Sequence, residues 1–131
     1  MKIIIDTQIF IWTISHPERL SKNTIDLLQE NDIFLSQISL MEIAIKQRIG
    51  KLPELTIEIE ELIEQLIKDN FQILPIKNEH IAAYNKIPLF EYHRDPFDRL
   101  LIATSFSEKI PLISSDKNLE LYKDLVEIIS N

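Results

Sequence analysis

Short apolar runs alternate along the chain with longer stretches whose apolar residues recur at helical spacing. Lys2-Ile-Ile-Ile5 reads as a fully buried strand ending at Asp6, since a strand covered on both faces is apolar throughout. Ile33–Leu35, Phe71–Leu74, Pro111–Ile113 and Val126–Ile129 read as four further strands. Between them the pattern predicts helices over Thr7–Ile14, from a Ser21 cap to Glu30, and from Ser36 or Ser39 to Ile49, where Gly50 stops the helix. Thr56 is read as the cap of a long amphipathic helix to Lys68, and Asn78 as the cap of a short one through Tyr84. Asp95-Pro96 opens a helix to about Lys109, because proline suits the first helical position. A short helix follows Asp116. Strands alternating with helices predict one α/β domain over residues 1–131, with a central parallel sheet of about five strands flanked by helices.

Composition narrows the chemistry. Hydrophobic residues make up 45% of the chain and glycine occurs once, so a real core is expected rather than disorder. The absence of cysteine excludes a disulfide scaffold and thiolate-held metals, and it suits the cytoplasm. His16, His80 and His93 are widely spaced and form no HExxH pattern, so a metal here would be held by oxygen, which points to Mg²⁺ or Mn²⁺. The net charge of −7 argues against nonspecific nucleic-acid binding but not against an acidic site whose cations meet phosphate. No secretory signal is visible, because Asp6 interrupts the apolar start, and no apolar run is long enough to span a membrane.

Three acids fall beyond the carboxyl ends of strands, where sites form in open parallel sheets. Asp6 follows the first strand, Glu42 lies in the helix after the second, and Asp116 follows the fourth. Asp98 reaches the same edge only if the long connection before its helix crosses there. Each has an ordinary alternative. Asp6 and Asp116 suit caps, and Asp95 with Asp98 resembles a capping box. Glu42 could pair with Lys46 four residues on. Glu42 nevertheless lies beside Ile38, Ile45 and Ile49 on the helix surface, and a charge on an apolar stripe needs a partner or a cation.

Several blocks together resemble a known family. They are Asp6-Thr7-Gln8 after the first strand, Ser39-Leu-Met-Glu42-Ile-Ala-Ile-Lys46 with Gly50-Lys51-Leu52, His93-Arg-Asp-Pro-Phe-Asp98-Arg-Leu-Leu-Ile-Ala103, and Ser114-Ser115-Asp116. In order and spacing they resemble the PIN-domain, VapC-like toxins of bacterial toxin–antitoxin pairs. The resemblance implies a three-layer PIN-like fold and a metal-dependent endoribonuclease. It carries catalytic and metal-binding roles to Asp6, Glu42, Asp98 and Asp116, with Mg²⁺ or Mn²⁺ as cofactor and 5′-phosphate and 3′-hydroxyl product ends. It also implies a homodimer silenced by a cognate antitoxin, with DNA engaged only through that antitoxin. Thr7, Lys46, Arg94, Arg99 and Ser114 are candidate RNA contacts, each with an ordinary structural role as the alternative. His93 is a weak general-acid candidate and reads more simply as structural or substrate-positioning.

Two other readings compete. One is a catalytically silent PIN-like interaction module, which the presence of all four acids disfavours. The other is a phosphoaspartate phosphatase or receiver domain. Asp6-Thr7-Gln8 lacks the second acid of a phosphatase, and Pro75-Ile76-Lys77 stands where a receiver would carry its phosphorylated Asp.

Overall fold

Ile3 and Ile5 enter one hydrophobic core and Ile4 enters another. A strand covered on both faces divides its side chains this way, because they alternate with a period of two. In the computed structural model, which describes residues 1–131, the strands are β1 (Lys2–Ile5), β2 (Asp32–Ser36), β3 (Gln72–Leu74), β4 (Leu112–Ser114) and β5 (Ile128–Ser130). Their order across the sheet is β3-β2-β1-β4-β5, and every pairing is parallel. Neighbouring strands repeat the division: Ile33, Leu35 and Ile113 join the first core, while Leu112 joins the second and Phe34 packs on it.

The helices are α1 (Thr7–Ser15), α2 (Lys22–Glu30), α3 (Gln37–Arg48), α4 (Ile59–Lys68), α5 (Asn78–Tyr84) and α6 (Pro96–Glu108). Ile9 and Phe10 of α1, Ile43 of α3, and Leu62 and Leu66 of α4 fill the first core. Ala83 of α5 and Leu101, Ile102 and Ala103 of α6 fill the second. The result is the three-layer α/β sandwich expected from the sequence.

Local sequence fixes most helix ends. Ser21 caps α2 by accepting the Thr24 N–H. Ser36, rather than Ser39, caps α3 by accepting the Ile38 N–H at 3.2 Å, and Gly50 ends that helix at a φ of 73°, a conformation that costs glycine least. Asp95 caps α6 by accepting the Phe97 N–H at 2.8 Å and the Asp98 N–H at 3.3 Å.

Two caps differ from the sequence reading. α4 begins at Ile59 after Glu58, not at Thr56. Gln47 Nε2 donates to the carbonyls of Leu55 at 3.0 Å and Ile57 at 2.9 Å, while Leu52 and Leu55 are buried. Those contacts hold the segment outside the helix. α5 is capped from Lys77, whose N–H is accepted by His80 Nδ1 at 3.1 Å, so Asn78 lies within the helix. No helix is long and apolar enough to cross a membrane.

The chain runs from β1 outward to β2 and β3, then returns to β4 on the other side of β1. The strand order therefore reverses between β1 and β4. Open α/β sheets bind ligands in the crevice beyond the carboxyl ends of the strands at such a point. Asp6 follows β1, and Asp116 lies two residues after β4.

Gln47→Ala is expected to destabilise the fold by about 1–3 kcal/mol, because two part-buried carbonyls lose their donor. Thr56→Ala is expected to cost less than about 0.5 kcal/mol. Urea unfolding of both variants checks this; the opposite ranking would return the α4 cap to Thr56.

Candidate metal centre

β1 ends in a buried carboxylate. Asp6 is 5% exposed, and its two oxygens are held separately. Oδ1 accepts the Ile9 N–H at 2.8 Å, so Asp6 does cap α1, as its ordinary reading expects. Oδ2 accepts the Ser114 hydroxyl from β4, across the strand reversal. Ser114 Oγ also accepts the Asp116 N–H at 3.0 Å, which links the two strand-end acids through one hydroxyl. Asp116 itself accepts the Asn118 N–H at 2.9 Å.

α3 brings the third acid. Thr7 Oγ1 donates to Ser39 Oγ at 2.9 Å, a buried tie between the starts of α1 and α3. Glu42, 8% exposed, faces the resulting cleft. Its Oε2 pairs with Lys46 Nζ at 2.9 Å, so the intrahelical partner is present. Its Oε1 is buried and has no hydrogen-bond partner. The reason for Glu42's burial differs from the sequence reading. Ile45 and Ile49 are 37% and 57% exposed, so that end of the apolar stripe faces outward, while Ile38 packs against the second core. Ser39, Leu40 and Ile43 form the inward face, and Glu42 sits at its edge.

The fourth acid depends on a loop. Arg99 is 3% exposed, and its guanidinium donates to the carbonyls of Pro88 at 2.7 Å, Ile87 at 3.4 Å and Tyr84 at 3.5 Å. It also stacks over the Tyr84 ring at 4.8 Å. Arg99 thus ties the α5–α6 connection to α6 and sets the helix start, with Asp98 in its first turn, against the sheet edge.

Asp6, Glu42, Asp98 and Asp116 consequently line one cleft of about 390 Å³, together with Lys46 and Asp95. The tightest grouping of ligand-type atoms is His93, Asp98 and Asp116, all within 4.8 Å of one another.

The candidate RNA contacts divide. Arg99 is committed to backbone carbonyls and cannot also reach a phosphate. Thr7 and Ser114 are buried, and their hydroxyls are spent on Ser39 and Asp6. Nothing in their residue types announced those partners, which come from other strands and helices. Arg94 is exposed, and Lys46 is partly exposed at the cleft.

The electrostatics record the crowding. Burial, first of all, raises the Asp6 pKa from 3.8 to about 6; the Ser114 and Ile9 hydrogen bonds oppose that rise, and the charges of Asp98 and Asp116 add to it. Asp98 also rises from 3.8 to about 6, chiefly through burial and the Asp95 charge, with Asp116 and Glu42 contributing and the His93 hydrogen bond opposing. Carboxylates that disfavour one another's charge, beside an orphaned buried oxygen on Glu42, form a donor set that a hard divalent cation satisfies.

The family described as PIN domain matches residues 3–125. No curated protein matches the sequence. Among solved structures, the chain is similar to one in the VapBC2 complex of Rickettsia felis, solved bound to a DNA fragment from its promoter. The TM-score is 0.68 at 15% identity, over 100% of this chain and 99% of that one. It is similar to FitAcB of Neisseria gonorrhoeae, with a TM-score of 0.64 at 22% identity over 97% and 96% of the two chains. It is also similar to VapBC-5 of Mycobacterium tuberculosis, a member of the VapBC family of toxin–antitoxin systems, with a TM-score of 0.66 at 12% identity over 98% and 96%. At these identities the likeness is one of fold.

A carboxyl whose pKa is raised opposes folding only while ionised. For Asp6 the penalty is absent below pH 3.8, builds between 3.8 and about 6, and is complete above. Asp6→Asn in EDTA is therefore expected to be more stable than the parent at about pH 8, by on the order of 1–3 kcal/mol. The gain should shrink toward about pH 4.5. Urea unfolding at both pH values checks it; a pH-independent difference would contradict the burial argument.

Proposed function

Because the chain belongs to the PIN-domain family, we propose that it is a Mg²⁺- or Mn²⁺-dependent endoribonuclease that acts as the toxin of a toxin–antitoxin pair. The observation that carries this reading is the meeting of four carboxylates in one cleft, with a buried Glu42 oxygen lacking any protein partner. The likeness of fold to chains of VapBC and FitAB complexes supports the toxin role.

In this reading Asp6 and Asp98 hold the principal cation, and Glu42 and Asp116 complete its surroundings or position the attacking water. Bound there, a divalent cation lowers the pKa of water and stabilises charge on the phosphodiester. The chain's own residues prepare that site. Ser114 and the Ile9 N–H each take one lone pair of Asp6 and aim the others into the cleft. Lys46 holds Glu42 Oε2, which leaves Oε1 free for the cation. Lys46, which lines the cleft, and the exposed Arg94 are the candidates to meet RNA phosphates. Hydrolysis would leave 5′-phosphate and 3′-hydroxyl ends.

A cognate antitoxin silences the enzyme, and the protein acts as a homodimer. Met41, Ile45 and Ile49, exposed along one side of α3, offer apolar surface of the kind protein contacts use.

Single-stranded RNA incubated with the protein and Mn²⁺ is expected to be cut, and EDTA should stop the reaction. Glu42→Gln and Asp98→Asn are each expected to lower the rate by roughly 10²–10³-fold while leaving the circular-dichroism spectrum unchanged. Cutting that persists in EDTA, or at full rate in either variant, would sink this assignment.

A further inference from the structure

We propose that Tyr122 and His93 form a hydrogen-bond relay that orients the Asp98 carboxylate, with His93 a positioning residue rather than a metal ligand. The proposal rests on the reading of the acidic cleft as a metal centre.

Tyr122 is fully buried on the 3₁₀ helix Lys117–Tyr122. Its hydroxyl lies 2.7 Å from His93 Nδ1. Burial raises the phenol's pKa above 10.0, so it keeps its proton at neutral pH. A buried hydroxyl proton needs an acceptor, and Nδ1 is the one beside it. The imidazole proton therefore belongs on Nε2. Nε2 lies 3.3 Å from Asp98 Oδ2, where an N–H donates to the carboxylate.

The ring is held in that direction by more than the two hydrogen bonds. His93 packs edge-on against Tyr122 with centroids 5.5 Å apart, and Tyr122 packs the same way against Phe90 at 5.3 Å. The His93 N–H also donates to the Phe90 carbonyl at 3.2 Å. The imidazole is thus fixed in place, in rotation and in tautomer. Asp98 has one oxygen pinned by the imidazole N–H, which leaves its remaining lone pairs facing the cleft. Hydrogen bonds that fix a ligating carboxylate in this way tune how tightly it holds a metal.

The competing arrangement makes His93 Nε2 a ligand alongside Asp98 and Asp116, whose atoms lie close enough. It requires the proton on Nδ1, which would leave the Tyr122 hydroxyl proton with no acceptor in the core.

Nitrogen-15 NMR of the metal-free protein is expected to show His93 as the Nε2–H tautomer, and Tyr122→Phe should lose that fixed state. Mn²⁺ titration is expected to show affinity weakened about 10-fold in Tyr122→Phe and in His93→Ala. His93→Gln, whose amide N–H can replace Nε2–H, should recover most of the loss. An Nδ1–H tautomer in the wild type, or pulsed-EPR coupling of a directly bound imidazole nitrogen to Mn²⁺, would overturn the relay. So would unchanged affinity in both weakened variants while the wild type binds normally. A wild type that binds no Mn²⁺ overturns the metal reading itself, and with it the relay's purpose, whatever tautomer NMR finds.

Discussion

Asp6 ends the central strand of the sheet with its charge in a place that water barely reaches. Much of the surrounding structure meets the demand that this buried carboxylate makes. Two donors, the Ile9 N–H and the Ser114 hydroxyl, are drawn from the elements on either side of the strand-order reversal. Those donors do not offset the cost of burial, which raises the Asp6 pKa to about 6, and the nearby charges of Asp98 and Asp116 add to the rise. A fold that needed only stability would not collect acids there, since like charges crowded in a partly buried cleft oppose folding at neutral pH. A bound cation would make the arrangement favourable, and that asymmetry links the architecture to the proposed chemistry.

The sheet was largely legible in the sequence, and the reason is local. Three consecutive isoleucines ending at Asp6 allow little besides a strand covered on both faces, and Asp95-Pro96 suits a helix start on geometric grounds alone. The position of Asp98 was not legible in the same way. It depends on Arg99 gathering three carbonyls from the end of α5 and the loop after it, a set of contacts with no sequence pattern. Next to Asp98, Arg99 reads as a charge free to meet phosphate, whereas the fold buries it. The apolar stripe explains Glu42's burial only in part, since Ile38 packs against the second core but Ile45 and Ile49 face solvent, and the contact between α1 and α3 supplies the rest. The resemblance to PIN-domain toxins supplied the convergence of Asp98 that spacing could not.

The acidic character of the chain bears on how RNA would be held. With a net charge of −7, a bare cleft repels a phosphodiester. Arg94 and Lys46 supply little positive charge, and Lys46 is already paired with Glu42. In the proposed reading, attraction at the site would come mainly from a cation held by the carboxylates. Metal binding and substrate binding would then be one event, governed by the same side chains. The proposed Tyr122–His93 relay extends that arrangement outward by setting the direction of a carboxylate.

The most direct measurement is anomalous diffraction from crystals of the protein soaked in Mn²⁺ at about pH 8. The expected result is a strong peak in the cleft, within coordination distance of Asp6 and Asp98 oxygens, with Glu42 Oε1 or Asp116 turned toward it directly or through water. A cleft without a peak at saturating Mn²⁺, its four carboxylates left as they are, would contradict the central claim.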